Sequence, residues 1–192
     1  MTEVRSVRVA SPERAQTFAV AALVSIGIFA LLARRFVLGT AHQSAVVVEI
    51  YVGLALVSLA VPLGARVRPR LTTARVIAIG VLAFAAATFL VRPQFPLPRA
   101  PEVLSLNTLA AFSEEAFFRR LVYGVLERWG ASLAIAGSAL LFALIHVPLY
   151  GTAAVWVDLV AGLVLSWQRW ASGTWTASGA THAAANLLAV LR

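Results

Sequence analysis

Six polar residues in the C-terminal half of the chain have types and spacings that could carry out acid–base chemistry. Glu114 and Glu115 sit side by side in AAFSEEAFFRRLVYGVLERWG, with Arg119 four positions after Glu115. His146 closes the run LLFALIHVP, and His182 and Asn186 stand four apart in GATHAAANLL. A carboxylate or imidazole can take a proton from a bound group, and an imidazole and an amide one helical turn apart form a pair of donors. All six lie in apolar stretches, where an isolated ionisable group costs a few kcal/mol even on mild insertion scales. A chain with only 8 acidic residues in 192 that places two of them together at such depth has a use for the charge.

The spacing predicts how these groups divide. Glu115 and Arg119 are at i and i+4 with the acid first, the favourable order for a same-face ion pair. Glu114 lies ~100° further round the helix and is left without a local partner. A carboxylate near but not bonded to a cation in low dielectric can be tuned as a general base. The alternative is structural, with both acids in the scaffold and Arg119 and Arg120 snorkelling to an interface. His182 and Asn186 share one face of a helix crowded with Gly179, Ala180, Ala183, Ala184 and Ala185, small residues that admit a neighbouring helix closely. Glu49 and Asp158 stand alone on their helices and are expected to make structural hydrogen bonds to neighbours. His42 lies in a loop, solvated.

The elements that must position these groups are apolar runs of ~17–22 residues, long enough to cross ~30 Å of hydrocarbon. They read as Thr17–Ala33, Ser44–Leu63, Val76–Val91, Asn107 or Thr108 to Arg128, Ala131–Val147 ended by Pro148, Thr152–Trp167 and Thr174–Leu191. The expectation is an all-α, polytopic transmembrane bundle of about seven helices, one or two of them partial. Residues 1–16 form a polar N-terminal tail, 17–100 the N-terminal transmembrane helices and 101–192 the catalytic core. No small-residue cleavage site follows the first run at the right distance, so it reads as a retained helix. No internal repeat supports a transporter built from inverted halves.

Composition agrees. Hydrophobic residues make up 60% of the chain and charged residues only 12%, against about 25% in soluble domains. The mean hydropathy is +0.86. There is no cysteine, which excludes disulfides, thiol catalysis and Cys-ligated metals. The basic residues, all arginine, cluster at the ends of apolar runs, including Arg34, Arg35, Arg66, Arg68, Arg70, Arg75, Arg92 and Arg169. That placement fits topology-setting charges and lipid headgroup contacts, and no basic stripe interleaved with aromatics points to nucleic acid. The tail and the 64–75 loop carry seven arginines and the 34–43 and 92–107 loops four, so the positive-inside rule puts the N-terminus in the cytoplasm.

Depth follows from counting. Runs four and five are joined by a short turn near Trp129–Ala131 and form an antiparallel hairpin. Glu114 lies ~14 residues before that turn and His146 ~16 after it, which sets them level within ~3 Å at 1.5 Å per residue. His182, ~8 residues into its helix, reaches a similar layer.

In this order the residues resemble a known family. Glu114-Glu115-Ala116-Phe117-Phe118-Arg119 matches EExxxR, Phe142-Ala143-Leu144-Ile145-His146 matches FxxxH, and His182-Ala183-Ala184-Ala185-Asn186 matches HxxxN. Together these resemble the CPBP intramembrane proteases, which include CAAX endoproteases and bacteriocin-processing and immunity proteins. The resemblance covers roughly residues 105–192. It implies Glu114 as the base that deprotonates water, His146 as a partner holding that water, and His182 and Asn186 as oxyanion donors. It further implies Arg119 fixing Glu115, with Phe142 in support, in a glutamate-type mechanism without bound metal. Glu, His and His can also complete a zinc site, the less favoured alternative, although HExxH is absent.

The implied activity is that of an endopeptidase acting on a membrane-anchored protein or peptide in the lipid bilayer, such as a C-terminal sorting tail or a leader peptide. The implied location is a prokaryotic cell (inner) membrane, crossed several times. A non-catalytic immunity-type binding protein is the rival reading, and a proton-coupled carrier a third, disfavoured by size and the missing repeat.

Overall fold

A computed structural model of the chain describes residues 12–63, 69–90 and 101–191. Most of the polar tail, Arg66, Arg68, the proline-rich loop over 91–100 and Arg192 lie outside the described residues. The helices are α1, Pro12–Val37; α2, Gln43–Ala60; α3, Thr73–Leu90; α4, beginning with Pro101–Glu115; α5, Ala131–Tyr150; α6, Val155–Ser172; and α7, Trp175–Leu191. Helix α4 runs on without a break through a π-helical stretch, Ala116–Val122, and the turns Tyr123–Leu126 and Glu127–Trp129. No strand occurs among the described residues, and the molecule is the expected all-α bundle of membrane type with seven helices. By length and composition three segments can cross a membrane: Gln16–Val37, Gln43–Ala60 and Ala131–Tyr150.

Several boundaries differ from the sequence expectation for identifiable reasons. Helix α4 starts at Pro101, ahead of Asn107, because a proline at the first helical position gives up an N–H that has no intrahelical acceptor anyway. Helix α5 does not stop at Pro148 but continues to Tyr150. There the lost hydrogen bond falls in the last turn, and the helix stops at Gly151, whose φ of +79° suits glycine. Helix α1 extends past Ala33 to Val37, so Arg34 and Arg35 belong to its last turn.

Helix α4 is the axis of the bundle. From Ser113 to Tyr123 every side chain except Arg120 is buried, as in a helix enclosed on all sides. Neighbours α2, α5 and α7 pack against it, and α1 closes another side. Phe117 and Phe118 sit edge to face at 5.0 Å and meet Leu31, Tyr51, Leu54 and Phe142 in the main apolar cluster. Short π-helical stretches are enriched at functional sites, and this one begins directly after the two glutamates. Arg120 does not snorkel: it donates to the backbone carbonyls of Ser58 and, at 3.1 Å, Val61 at the C-terminus of α2. Carbonyls there lack intrahelical partners.

Close packing holds the remaining helices. A Cβ on Gly162 of α6 would lie 3.0 Å from the Cα and carbonyl oxygen of Ala139 on α5, so only glycine allows this approach without a shift. Gln168 of α6 donates to the Val76 carbonyl of α3 at 2.7 Å and to Thr181 Oγ1 of α7 at 2.9 Å, tying three helices with one amide. At that end of the bundle Arg70 lies over the Trp170 ring at 4.1 Å and Arg128 over Trp129 at 3.8 Å. Arginine and tryptophan together mark a membrane interface.

Candidate active site

A cavity of about 280 Å³ opens among the seven helices, with Phe84 of α3 on its apolar side. Its polar wall is formed by Glu114, His146, Tyr150, Asp158, His182 and Asn186, joined by Arg34 and Tyr51. The sequence places these groups up to 152 positions apart (Arg34 to Asn186), and helix packing alone gathers them.

Glu114 is 3% exposed and has partners that local spacing does not reveal. Arg34 Nη1 donates to its Oε1 at 2.9 Å, and Tyr51 Oη to the same oxygen at 3.2 Å. The Arg34 guanidinium also bonds Tyr51 Oη and, through Nε at 2.9 Å, the Leu31 carbonyl. This corrects the expectation that Glu114 is near but not bonded to a cation and that Arg34 sits at lipid headgroups. An arginine ending an apolar run looks the same in sequence whether it meets phosphate or a carboxylate from another helix. Glu114 Oε2, left free by Arg34, faces His146 Nε2 at 3.9 Å.

Glu115 is fully buried and has partners of its own. Arg119 Nη1 lies 3.1 Å from its Oε1, the ion pair expected from the i, i+4 spacing, although not aligned as a hydrogen bond. His182 Nδ1 also lies 3.1 Å from that oxygen. Arg119 Nη2 donates to the Gly162 carbonyl at 3.1 Å, and its guanidinium stacks over the Phe142 ring at 4.4 Å. Phe142 further touches His146, with ring centroids 4.7 Å apart, and His182 at 5.8 Å. One aromatic ring thus fixes the arginine and both imidazoles.

Hydrogen-bond chemistry assigns the imidazole tautomers. His146 Nδ1 lies 2.8 Å from the Phe142 carbonyl, which can only accept, so Nδ1 carries hydrogen and Nε2 is the nitrogen turned toward Glu114. By the same reasoning His182 Nδ1 donates to Glu115. Asn186 donates through Nδ2 to the Asn107 carbonyl at 3.2 Å, which leaves its second N–H and its oxygen for other partners.

Asp158 and Glu49 both depart from the expected structural hydrogen bonds. Asp158 lines the cavity, and its Oδ2 has no partner among the described residues. Glu49 is exposed on α2 with no hydrogen bond among the described residues, because the face of α2 that packs inward is Val47, Tyr51, Leu54 and Ser58. Sequence alone passed over Tyr51 and gave Arg34 no part in the site; an arginine ending one predicted span and a tyrosine inside the next were the available signal.

Among the described residues no three His, Asp or Glu side chains are grouped to hold a metal ion. Glu114 Oε1 is engaged by Arg34 and Tyr51, and the His182 nitrogen nearest a carboxylate binds Glu115, not Glu114.

A buried acid facing an imidazole across a polar cavity, inside a helical bundle of membrane type, is an arrangement that can hold and polarise a water. Residues 96–188 match the model of the type II CAAX prenyl endopeptidase Rce1-like family. This match agrees with the motif resemblance to CAAX-type intramembrane proteases. No curated protein and no solved structure matches the chain.

Proposed function

We propose that the protein is a glutamate-type intramembrane endopeptidase in which Glu114 and His146 activate water between them. The observation that carries this is the 3.9 Å separation of Glu114 Oε2 and His146 Nε2, two acceptors on one cavity wall. A water donating one hydrogen to each, at ~2.8 Å per bond, presents its lone pairs to a peptide carbonyl lodged in the cavity. Glu114 takes a proton as the water oxygen bonds to the carbonyl carbon. The oxyanion is held by Asn186 and by His182, whose Nε2 donates when the ring is protonated on both nitrogens and paired with Glu115. Collapse breaks the C–N bond, and the proton passes to the leaving amine.

The substrate is a membrane-anchored protein or peptide, and the chain crosses the membrane several times. Orientation narrows the substrate further. Arg34 is spent on Glu114, so it drops out of the topology count, while Arg70, Arg128 and Arg169 gather at the end of the bundle away from the cavity. The arginine-rich end is cytoplasmic by the positive-inside rule. The cavity then lies toward the outer half of a prokaryotic cell membrane, which suits removal of a C-terminal sorting tail.

The test is cleavage, in proteoliposomes, of a panel of tailed, leader-bearing and prenylated reporter proteins by wild type and Glu114→Gln. Wild type should cleave one class and the variant none, a loss of at least about 10³-fold for removal of the base. Full cleavage by the variant overturns the assignment.

A further inference from the structure

We infer that Arg34 and Tyr51, from helices outside the matched segment, are positioning residues that pin one oxygen of Glu114 and present the other to His146. This rests on the reading of Glu114 as the base. The geometry is specific. Arg34 is 4% exposed, and its guanidinium is itself anchored by the Leu31 carbonyl, so it cannot follow the carboxylate if that rotates. Its charge sits 5.3 Å from the centre of the Tyr51 ring. Both Arg34 Nη1 and Tyr51 Oη address Oε1 and neither addresses Oε2.

The division between the two oxygens matters chemically. A lone carboxylate at this depth would gain a proton and cease to be a base, because burial without a partner disfavours charge. Arg34 supplies the counter-charge at Oε1, and the facing imidazole of His146 shares the water's hydrogens at Oε2. The charged and titratable groups around Glu114 are Arg34 on α1, Tyr51 on α2, Arg119 on its own helix, His146 and Tyr150 on α5, Asp158 on α6 and His182 on α7. Arg119 is already committed to Glu115, which makes Arg34 the cation that serves Glu114. The catalytic unit therefore includes α1 and α2, and residues 101–192 alone hold an incomplete site.

Two measurements test this, one of which needs no substrate. Infrared difference spectra of the full-length protein in lipid nanodiscs, taken against Glu114→Gln, report whether the Glu114 carboxyl is ionised. Wild type and Arg34→Lys should show the ionised carboxylate band, and Arg34→Gln the carbonyl stretch of a protonated acid. An ionised band unchanged in Arg34→Gln overturns the inference. If Arg34→Gln alone does not fold, the double variant Arg34→Gln/Glu114→Gln should recover most of the lost melting temperature, and additive losses overturn the coupling. With any reporter that wild type cleaves, Tyr51→Phe and Arg34→Lys should lower kcat by about 10-fold to 100-fold with KM unchanged, as misplacement of a reacting group does. A rise in KM alone assigns them to substrate binding and refutes the positioning role. Cleavage retained by Glu114→Gln would refute the base assignment while leaving the infrared result intact, so the two failures are distinguishable.

Discussion

His182 Nδ1 and Glu115 Oε1 lie 3.1 Å apart and join α7 to the central helix at the level of the cavity. The same oxygen takes the Arg119 charge from 3.1 Å. Glu115 is thus the hinge between a scaffold cation and an imidazole facing the cavity, whereas Glu114 lines the cavity itself.

Glu115→Gln is expected to be more damaging than its size suggests. It leaves the Arg119 guanidinium buried without an anion and removes the acceptor that sets the His182 tautomer. Breaking a buried pair from one side costs ~3–5 kcal/mol. Thermal unfolding in detergent should show a large drop, and cleavage should fall with it. A variant as stable as wild type would mean that Arg119 is satisfied elsewhere.

Phe142→Leu separates packing from chemistry. The apolar volume is largely kept, but the ring that stacks on Arg119 and touches both imidazoles is lost. The expected stability loss is about 1–2 kcal/mol, in the range of imperfect core swaps. Activity should drop by more than that loss explains, measured as kcat at a temperature where both proteins are folded.

Gly162→Ala probes the contact between α5 and α6. The added methyl would stand 3.0 Å from Ala139 backbone atoms. Relief requires the helices to part, at ~1–3 kcal/mol for an overpacked site. Because Gly162 also supplies the carbonyl that binds Arg119, activity should fall too. A melting temperature equal to wild type would show that the two helices can separate freely.

Gln168→Leu serves as the control. It removes the amide that ties α3, α6 and α7 but touches nothing in the cavity. Leaving the Val76 carbonyl and Thr181 hydroxyl without their donor costs ~1–3 kcal/mol. Melting should fall while kcat of the folded protein stays within about two-fold, a difference of ~0.4 kcal/mol.

Topology is directly measurable because the chain has no cysteine. Single cysteines at Arg70 or Arg128 are expected to resist a membrane-impermeant maleimide applied to intact cells, and one at Thr152 to react. The reverse pattern would place the cavity toward the cytoplasm and redirect the substrate search to prenylated tails.

The amino-acid order by itself determined the helical class, because apolar runs of membrane length have few other ways to satisfy their backbone. It also marked Glu114, Glu115, Arg119, His146, His182 and Asn186, since charge and amide groups inside such runs are costly enough to stand out. The Glu115–Arg119 pair was legible because both ends lie on one helix at a fixed spacing. Only the tertiary structure decided the partner of Glu114, which comes from Arg34 and Tyr51, 80 and 63 positions away. It likewise decided that Asp158 faces the cavity and that Phe142 serves three side chains at once. Periodicity reports which residues share a helix face, but which faces meet depends on how closely glycines such as Gly162 let the helices approach, and that is settled only when all seven pack together.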